Sequence, residues 1–197
     1  MEIEPTVFYL VRHGEAENNV LHILNSYSEA DRYALTEKGR GQATKVATND
    51  LSEDTIDIIF SSPIRRTRET AEIIARATGA KVIFDERLRE TDFGIYSGRP
   101  TSALWGKYPD PLMRLDGNEE EHLEGFGAMR DRLESFLKDV LAKYAGKTIV
   151  IVSHGDPLEQ VHGILLGDSV QRSVNGWYPE KGSCTKVISK LHDMSRS

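Results

Sequence analysis

The chain has 197 residues, 39% of them hydrophobic, which is enough for one well-filled core. A formal net charge of −6 argues against nucleic-acid or anionic-membrane partners, since both usually require a basic face. The acidic start and short first apolar run argue against a signal peptide or membrane helix and favour a cytoplasmic location, and the single cysteine, Cys184, excludes an intrachain disulfide.

Short β-rich runs alternate with helical patterns along the chain, which is typical of βαβ units around a mainly parallel sheet. Strands are predicted at 7–11, 56–60, 81–84, 149–152 and 184–191, and helices at 37–49, 65–78, 126–144 and after residue 155. Thr36 is expected to cap the first helix, and Gly79 and Gly146 to end the second and third. The pattern predicts an α/β protein with helices packed on the sheet.

The sequence shows no internal repeat and no long linker, so residues 1–197 are expected to form a single domain. Residues 97–121 are rich in proline, glycine and acidic side chains. This composition predicts an irregular lid segment over the crevice, with the acidic run 119–121 solvated or hindering highly anionic substrates.

Two apolar strands end in the same dipeptide, His13-Gly14 after the first and His154-Gly155 after the fourth. Because the carboxyl ends of parallel strands share one edge of a sheet, both imidazoles are expected to meet in one crevice. Arg12 adds a permanent positive charge there, and the glycines let a ligand approach main-chain N–H groups. The sequence therefore predicts a cationic pocket that contains a nucleophile.

Five segments in this order resemble the histidine phosphatase superfamily, also called the phosphoglycerate mutase-like family, over nearly the whole chain. They are the segments LVRHGE at 10–15, ALTEKG at 34–39, SSPIRRTRETA at 61–71, LRE at 88–90 with FG at 93–94, and VSHG at 152–155. The resemblance implies a doubly wound, phosphoglycerate mutase-like α/β fold, no metal and no cofactor, and turnover through a phosphohistidine.

Phosphoryl transfer spreads negative charge over three oxygens and needs cations or N–H donors around them. Arg12, Arg66 and His154 are the candidates for this stabilisation, together with backbone N–H groups such as that of Gly155. His13 is the candidate nucleophile, and it would attack phosphorus with a neutral ring nitrogen while a carbonyl holds its other nitrogen.

The resemblance implies that Glu90 is the general acid and that Asn19 donates to a phosphate oxygen. The residues themselves leave alternatives open. Asn18 competes with Asn19, and either side chain could cap the next helix. The carboxylates that compete with Glu90 are Asp85, Glu86 and Asp92.

Asp156 follows the second His-Gly pair, where many relatives have a second glycine. Its carboxylate is interpreted as a cap for the following helix rather than as a proton relay. Arg65 and Arg68 are interpreted as solvated helix charges, as are the remaining histidines. These are His22, His122, His162 and His192.

Mutases and phosphatases of this kind differ in whether a second phosphate-bearing molecule is retained, and retention needs extra cations. After Glu90 the chain offers only Arg99, Lys107 and Arg114 before the long helix, and Thr101 stands where the mutase pattern has lysine. We therefore expect a phosphatase for small phosphomonoesters, with a phosphoprotein as a possible substrate. A cofactor-dependent phosphoglycerate mutase and a phospho-ligand binding module are the alternatives.

Overall fold

The computed structural model describes residues 5–27 and 31–189, and these contain a five-stranded sheet. The strands are β1 (Val7–Arg12), β2 (Ile58–Ser61), β3 (Lys81–Phe84), β4 (Thr148–Ser153) and β5 (Cys184–Ile188). Their order is β3-β2-β4-β1-β5, with every neighbouring pair parallel except β1 and β5. The mainly parallel sheet is confirmed, while the predicted end of the last strand at 191 lies outside the described residues.

The four predicted helices fall close to their predicted places, and the described residues also form three short helices that the sequence did not predict. In chain order the helices are α1 (Glu17–Val20), α2 (Glu37–Lys45), α3 (Arg65–Thr78), α4 (Thr101–Lys107), α5 (Phe126–Tyr144), α6 (Gly155–Leu166) and α7 (Val170–Ser173). A π-helical turn, Val46–Asp50, continues α2. Thr36 caps α2 by accepting a hydrogen bond from the N–H of Gly39 at 3.1 Å, and Gly79 ends α3 at a φ of 74°.

Successive hydrophobic side chains along β1 pack into two separate cores. Phe8 and Leu10 face α5 and α6, whereas Tyr9 and Val11 face α3 and the turn after α2. Since side chains alternate between the faces of a strand, both faces of the sheet are covered. The doubly wound arrangement is confirmed. No helix among the described residues has the length and apolar character to cross a membrane.

The segment 97–121 is more ordered than its composition predicts. It contains α4 and a 3₁₀ turn at Pro111–Arg114. Glu121, expected to be solvated, is buried, and it accepts hydrogen bonds from the hydroxyls of Tyr96 at 2.9 Å and Tyr108 at 2.6 Å. Lys107 forms an ion pair with the same carboxylate. The expectation of solvation holds for Glu119 and Glu120, which are exposed, and was wrong for Glu121, because these three donors replace the water that it loses on burial.

Two backbones pack directly against each other where the loop after β1 meets α2. A Cβ atom added at Gly39 would lie 2.0 Å from the carbonyl oxygen of Glu15, and one added at Gly14 would lie 2.2 Å from the carbonyl oxygen of Gly39. Neither carbonyl can swing away as a flexible side chain could. The glycines therefore allow the loop that follows His13 to rest on α2.

This contact predicts opposite effects for two alanine substitutions in one helix. Gly39→Ala is expected to lower the free energy of unfolding by about 1–3 kcal/mol, because a methyl group is forced against backbone. Gly41→Ala is expected to raise it by up to about 1 kcal/mol, because alanine is the better helix former and nothing lies within 4 Å of a Cβ there. Chemical denaturation measures both, and a destabilisation shared equally by the two variants would contradict the contact.

Candidate active site

The register of β1 and β4 brings the two His-Gly pairs together. Arg12 lies opposite Ser153, so His13 and His154 follow at adjacent strand ends. The N–H of His13 donates to the carbonyl oxygen of Ser153 at 3.1 Å. The imidazole centroids are 5.2 Å apart, with the ring planes at 64°. The two rings therefore meet in one crevice, as the strand pattern predicts.

Arg66, in the first turn of α3, joins the two imidazoles. Its Nε–H donates to Nε2 of His13 at 3.0 Å, and its Nη2–H donates to Nδ1 of His154 at 3.0 Å. Asn25 accepts further hydrogen bonds from the guanidinium through its side-chain and backbone oxygens. Only the planar, five-donor fork of arginine can satisfy this set of acceptors from one buried side chain.

The hydrogen bonds also indicate the tautomer of each ring. Nδ1 of His13 lies 2.7 Å from the carbonyl oxygen of Gly14, which can only accept, so Nδ1 carries the proton and Nε2 the lone pair. Nε2 of His154 lies 2.9 Å from Oγ of Ser62, while its Nδ1 accepts from Arg66. A neutral His154 is thus protonated on Nε2, and a neutral His13 carries its lone pair on Nε2.

A cavity of about 230 Å³ opens at this edge of the sheet. Of the predicted site residues it is lined by Arg12, His13, Asn19, Arg66 and Glu90. Phe93, from one of the quoted segments, also lines it, and further lining residues that the sequence did not single out include Ile23, Trp105, Tyr178 and Lys181.

The other two predicted residues lie behind the cavity. His154 is fully buried, and it contacts three of the lining residues, His13, Arg66 and Glu90. A Cβ atom added at Gly155 would lie 2.0 Å from the hydroxyl of Tyr178, so this glycine admits the Tyr178 side chain to the site.

Glu90 is the carboxylate that lies beside the histidine pair. Its Oε2 is 3.9 Å from Nδ1 of His154, and its Oε1 accepts from the N–H of Thr91 at 3.1 Å. The three competing carboxylates have partners elsewhere: Asp85 pairs with Arg87, Glu86 pairs with Arg89, and Asp92 accepts from the N–H of Gly94. The placement favours Glu90 over all three.

Asn18 and Asn19 both line the cavity. Oδ1 of Asn19 accepts from the N–H of Ala16 at 3.0 Å, which fixes the side chain at the start of α1 and leaves its amide nitrogen as the donor. Nδ2 of Asn18 donates to the carbonyl oxygen of Ile23 at 3.2 Å. Asn19 therefore has the better-placed donor for an anion.

A comparison with known protein families identifies the family of this chain. The family model of the histidine phosphatase superfamily, branch 1, matches residues 8–188. The chain belongs to this superfamily.

Several relatives of this histidine phosphatase have assigned names. It is 35% identical to phosphoserine phosphatase 1 of Hydrogenobacter thermophilus over 80% of this chain and 75% of that protein. It is 37% identical to the probable phosphoglycerate mutase GpmB of Escherichia coli over 81% of this chain and 74% of that protein. The solved structure of Bacillus stearothermophilus YhfR matches with a TM-score of 0.78 and 26% identity, covering 92% of this chain and 90% of that one.

The electrostatics of this histidine phosphatase keep both imidazoles neutral. Burial lowers the pKa of His13 and of His154 well below the ordinary value, and the charges of Arg66 and Arg12 lower both further. Burial also lowers the pKa of Arg66 to about 10, so its guanidinium stays charged at neutral pH. A neutral imidazole therefore lies beside a charged guanidinium.

The pKa of Glu90 is shifted in the opposite direction, to a higher value. Burial, together with the negative charge of Asp156, raises its pKa to about 7, although Arg66 and Arg12 pull it down. A carboxyl group with this pKa is partly protonated at neutral pH and can serve as an acid.

The predicted role of Asp156 as a helix cap was wrong. His154 occupies the cap position of α6, and Asp156 lies one residue inside the helix. Its carboxylate instead accepts from the side chains of Thr91 at 2.8 Å, Arg114 at 2.9 Å and Tyr178 at 3.1 Å. Charged and hydroxyl donors from other segments outcompete the local backbone for these oxygens.

Sequence reasoning missed the residues that hold the site together from loops. Asn25 and Ser62 hold Arg66 and His154, and Tyr178 and Lys181 line the cavity from the loop before β5. Of these, only Ser62 could have been proposed from the sequence, because it directly follows a predicted strand, within the Ser-Ser-Pro segment at 61–63.

Proposed function

We propose that this histidine phosphatase hydrolyses small phosphomonoesters through a phosphohistidine on His13, with Glu90 as general acid and no metal ion. The observation that carries the proposal is the fork of Arg66, which donates to Nε2 of His13 and to Nδ1 of His154 from one buried guanidinium. Arg12, Asn19 and Arg66 line the same cavity, and their N–H groups are the donors proposed to take up the three oxygens of a transferring phosphoryl group.

In the first step the lone pair on Nε2 of His13 attacks phosphorus, and the bond from phosphorus to the ester oxygen breaks. The carboxyl proton of Glu90 passes to that leaving oxygen. Nε2 of His13 now uses its lone pair in the bond to phosphorus and can no longer accept a hydrogen bond. The Nε–H group of Arg66 therefore donates to a phosphoryl oxygen instead. Nε of Arg12 is buried with no partner among the described residues, and it supplies a further donor.

In the second step water attacks the phosphohistidine. The Glu90 carboxylate takes a proton from that water, the nitrogen–phosphorus bond breaks, and its electron pair returns to Nε2 of His13. The products are inorganic phosphate and the enzyme in its starting state. The same carboxyl group thus acts as acid in the first step and as base in the second.

The size and charge of the cavity favour a small, anionic substrate. Its volume of about 230 Å³ lies below the range of roughly 300–1,000 Å³ common for drug-sized ligands. Lys181 provides a cation beyond the phosphate-binding group, suited to a carboxylate on the leaving group. We therefore propose phosphoserine and phosphoglycerate, which occur in the names of relatives, as first substrates to test.

The phosphate-retaining mutase is the second candidate, and Lys181 is the observation in its favour. Two of the cations after Glu90 are already used, because Lys107 pairs with Glu121 and Arg114 with Asp156. Thr101 lines the cavity at the start of α4, where a mutase-like lysine would add charge. These contacts support the phosphatase.

The deciding experiment measures turnover of an aryl phosphate at mildly acidic pH in the presence of EDTA, and phosphoglycerate interconversion with a bisphosphate primer. The phosphatase proposal predicts hydrolysis that EDTA leaves unchanged. Primed interconversion faster than hydrolysis would establish the mutase, and binding without turnover would favour the binding module. The cytoplasmic location expected from the sequence stays a prediction.

The role of Glu90 predicts a substrate-dependent loss and a pH limit. Glu90→Gln is expected to lower kcat/KM for an alkyl phosphate by about 10²–10⁴-fold, and kcat/KM for a nitrophenyl phosphate much less, because that leaving group needs no proton and kcat/KM does not include the later attack of water. Since the protonated carboxyl is the active form, wild-type alkyl phosphatase activity should fall as pH rises above about 7. Steady-state kinetics against pH measure both, and equal losses for the two substrates would contradict the acid role.

A further inference from the structure

The carboxylate of Asp156 lines the cavity and joins three parts of the chain there. Its oxygens accept from Thr91, which follows Glu90, from Arg114, at the end of a 3₁₀ turn in the segment 97–121, and from Tyr178, in the loop before β5. The Asp156 side chain is 6% exposed and that of Arg114 is 3% exposed. A buried charge with this many partners costs free energy to desolvate, so its presence beside the site calls for a role.

Thr91 connects this carboxylate to the proposed acid. Its hydroxyl donates to Oδ2 of Asp156 at 2.8 Å, and its backbone N–H donates to Oε1 of Glu90 at 3.1 Å. A single residue therefore holds both carboxylates. The Glu90 side chain cannot shift without disturbing a hydrogen bond that Asp156 fixes.

Arg114 in turn fixes Asp156. Its guanidinium carbon lies 4.7 Å from the ring centres of both Trp105 and Phe126, between α4 and α5. Cation–π contacts on two sides leave the guanidinium little freedom. Trp105 also lines the cavity, so the wall that faces the substrate belongs to the same network.

We propose that Asp156 is a positioning residue that holds Glu90, through Thr91, in the place and protonation state needed to protonate the leaving group. This inference rests on the proposed function, because it takes Glu90 as the general acid. Asp156 also lines the cavity, but its oxygens already accept from three donors, so it exchanges no proton with the substrate.

Several charged or titratable groups face Glu90, and they divide by sign. Arg66 from α3 and Arg12 from β1 favour the carboxylate form, whereas Asp156 from α6 favours the neutral acid. His154 lies 3.9 Å away, Arg132 of α5 donates to the backbone oxygen of Glu90 at 3.4 Å, and the ring of Tyr178 is close enough to interact electrostatically. Among them Asp156 is the anion that opposes the cations, so neutralising it lowers the pKa of Glu90.

The test is the pH profile of Asp156→Asn, a variant that keeps the shape of the side chain and one of its two acceptor oxygens. The upper pH limit of kcat/KM for an alkyl phosphate is expected to move to lower pH, and kcat/KM at pH 7.5 to fall about tenfold for each unit of pKa lost. For nitrophenyl phosphate, kcat/KM is expected to stay within about twofold, because departure of nitrophenolate needs no proton.

Glu159→Gln is the matched control. Glu159 lies in the same helix, is buried, and also has a pKa raised to about 7, mainly by burial. It accepts from the N–H of Asn175 at 2.9 Å and lies outside the set of residues that line the cavity. Glu159→Gln should leave the upper pH limit for the alkyl phosphate unchanged.

Thr91 variants test the connection itself. Thr91→Val removes the hydroxyl and is expected to lower kcat for the alkyl phosphate with little change in KM, while Thr91→Ser restores the rate. If Asp156→Asn does not fold, Asp156→Asn with Arg114→Met removes both members of the buried ion pair and carries the same prediction.

Equal losses for alkyl and nitrophenyl phosphates with an unmoved pH limit would overturn the inference and leave Asp156 a structural role only. Failure of the proposed function would look different. In that case the wild-type protein itself would hydrolyse neither ester, whatever residue occupies position 156.

Discussion

Replacement of His13 by alanine is expected to abolish phosphomonoesterase turnover, with a loss in kcat of about 10⁶-fold, as for other enzymes that lose their nucleophile. No other described residue offers a neutral lone pair in the same position. Nε2 of His13 lies at the cavity, and its tautomer is fixed by Gly14. Steady-state assays with nitrophenyl phosphate measure the loss.

His162→Ala is the matched control for this experiment. His162 stacks on Trp177 with ring centres 4.4 Å apart and does not line the cavity. Its removal should leave kcat within about twofold, since surface-side substitutions away from a site usually have small effects. A His13→Ala protein that retained a tenth of wild-type turnover would exclude His13 as the nucleophile.

The second large effect is expected for Arg66→Lys, which should lower kcat/KM by about 10³–10⁵-fold, the range for a cation that stabilises transferring phosphoryl groups. Lysine keeps the charge but cannot donate at once to His13, His154 and Asn25, as Arg66 does. Both imidazoles would lose their common partner. Kinetics with nitrophenyl phosphate again provide the measurement.

Arg65→Lys, one residue earlier, is the control. Arg65 pairs with Glu69 one helical turn away and does not line the cavity. The Arg65 side chain is 40% exposed, and lysine can keep the charge of the pair, so neither stability nor activity should change much. If the two lysine variants behaved alike, the fork of Arg66 would have no special part in the reaction.

The fold was largely predictable because its elements carry strong local signals. The helix Phe126–Tyr144 has an apolar stripe at three- and four-residue steps, and Gly79 ends α3 in the left-handed conformation that glycine adopts freely. The order of the strands depends on packing between segments that are distant along the chain. Local patterns therefore predict a mainly parallel sheet but leave the neighbours of each strand open.

The centre of the site was predictable for a related reason. His13 and His154 follow directly on strands, so their positions depend on the sheet alone. Asn25, Tyr178 and Lys181 come from loops whose paths depend on tertiary contacts, and their sequence neighbourhoods carry no periodic signal.

Charged residues were hardest to interpret from sequence. Asp156 and Glu121 both looked like local or solvated acids, yet each is buried with donors contributed by other elements. Whether a carboxylate is buried depends on partners that are remote along the chain, such as Arg114 for Asp156. A pattern that describes only neighbouring residues does not contain this information.

The most direct test of the proposed mechanism is to trap the covalent intermediate. Wild-type protein is mixed with excess phosphomonoester and quenched during turnover in alkaline denaturant, which preserves phosphohistidine, and the phosphoryl group is located by peptide mass spectrometry. The mechanism predicts one phosphoryl group on His13, absent from the His13→Ala protein. Steady turnover with His13 unmodified, or with the phosphoryl group on another residue, would contradict it.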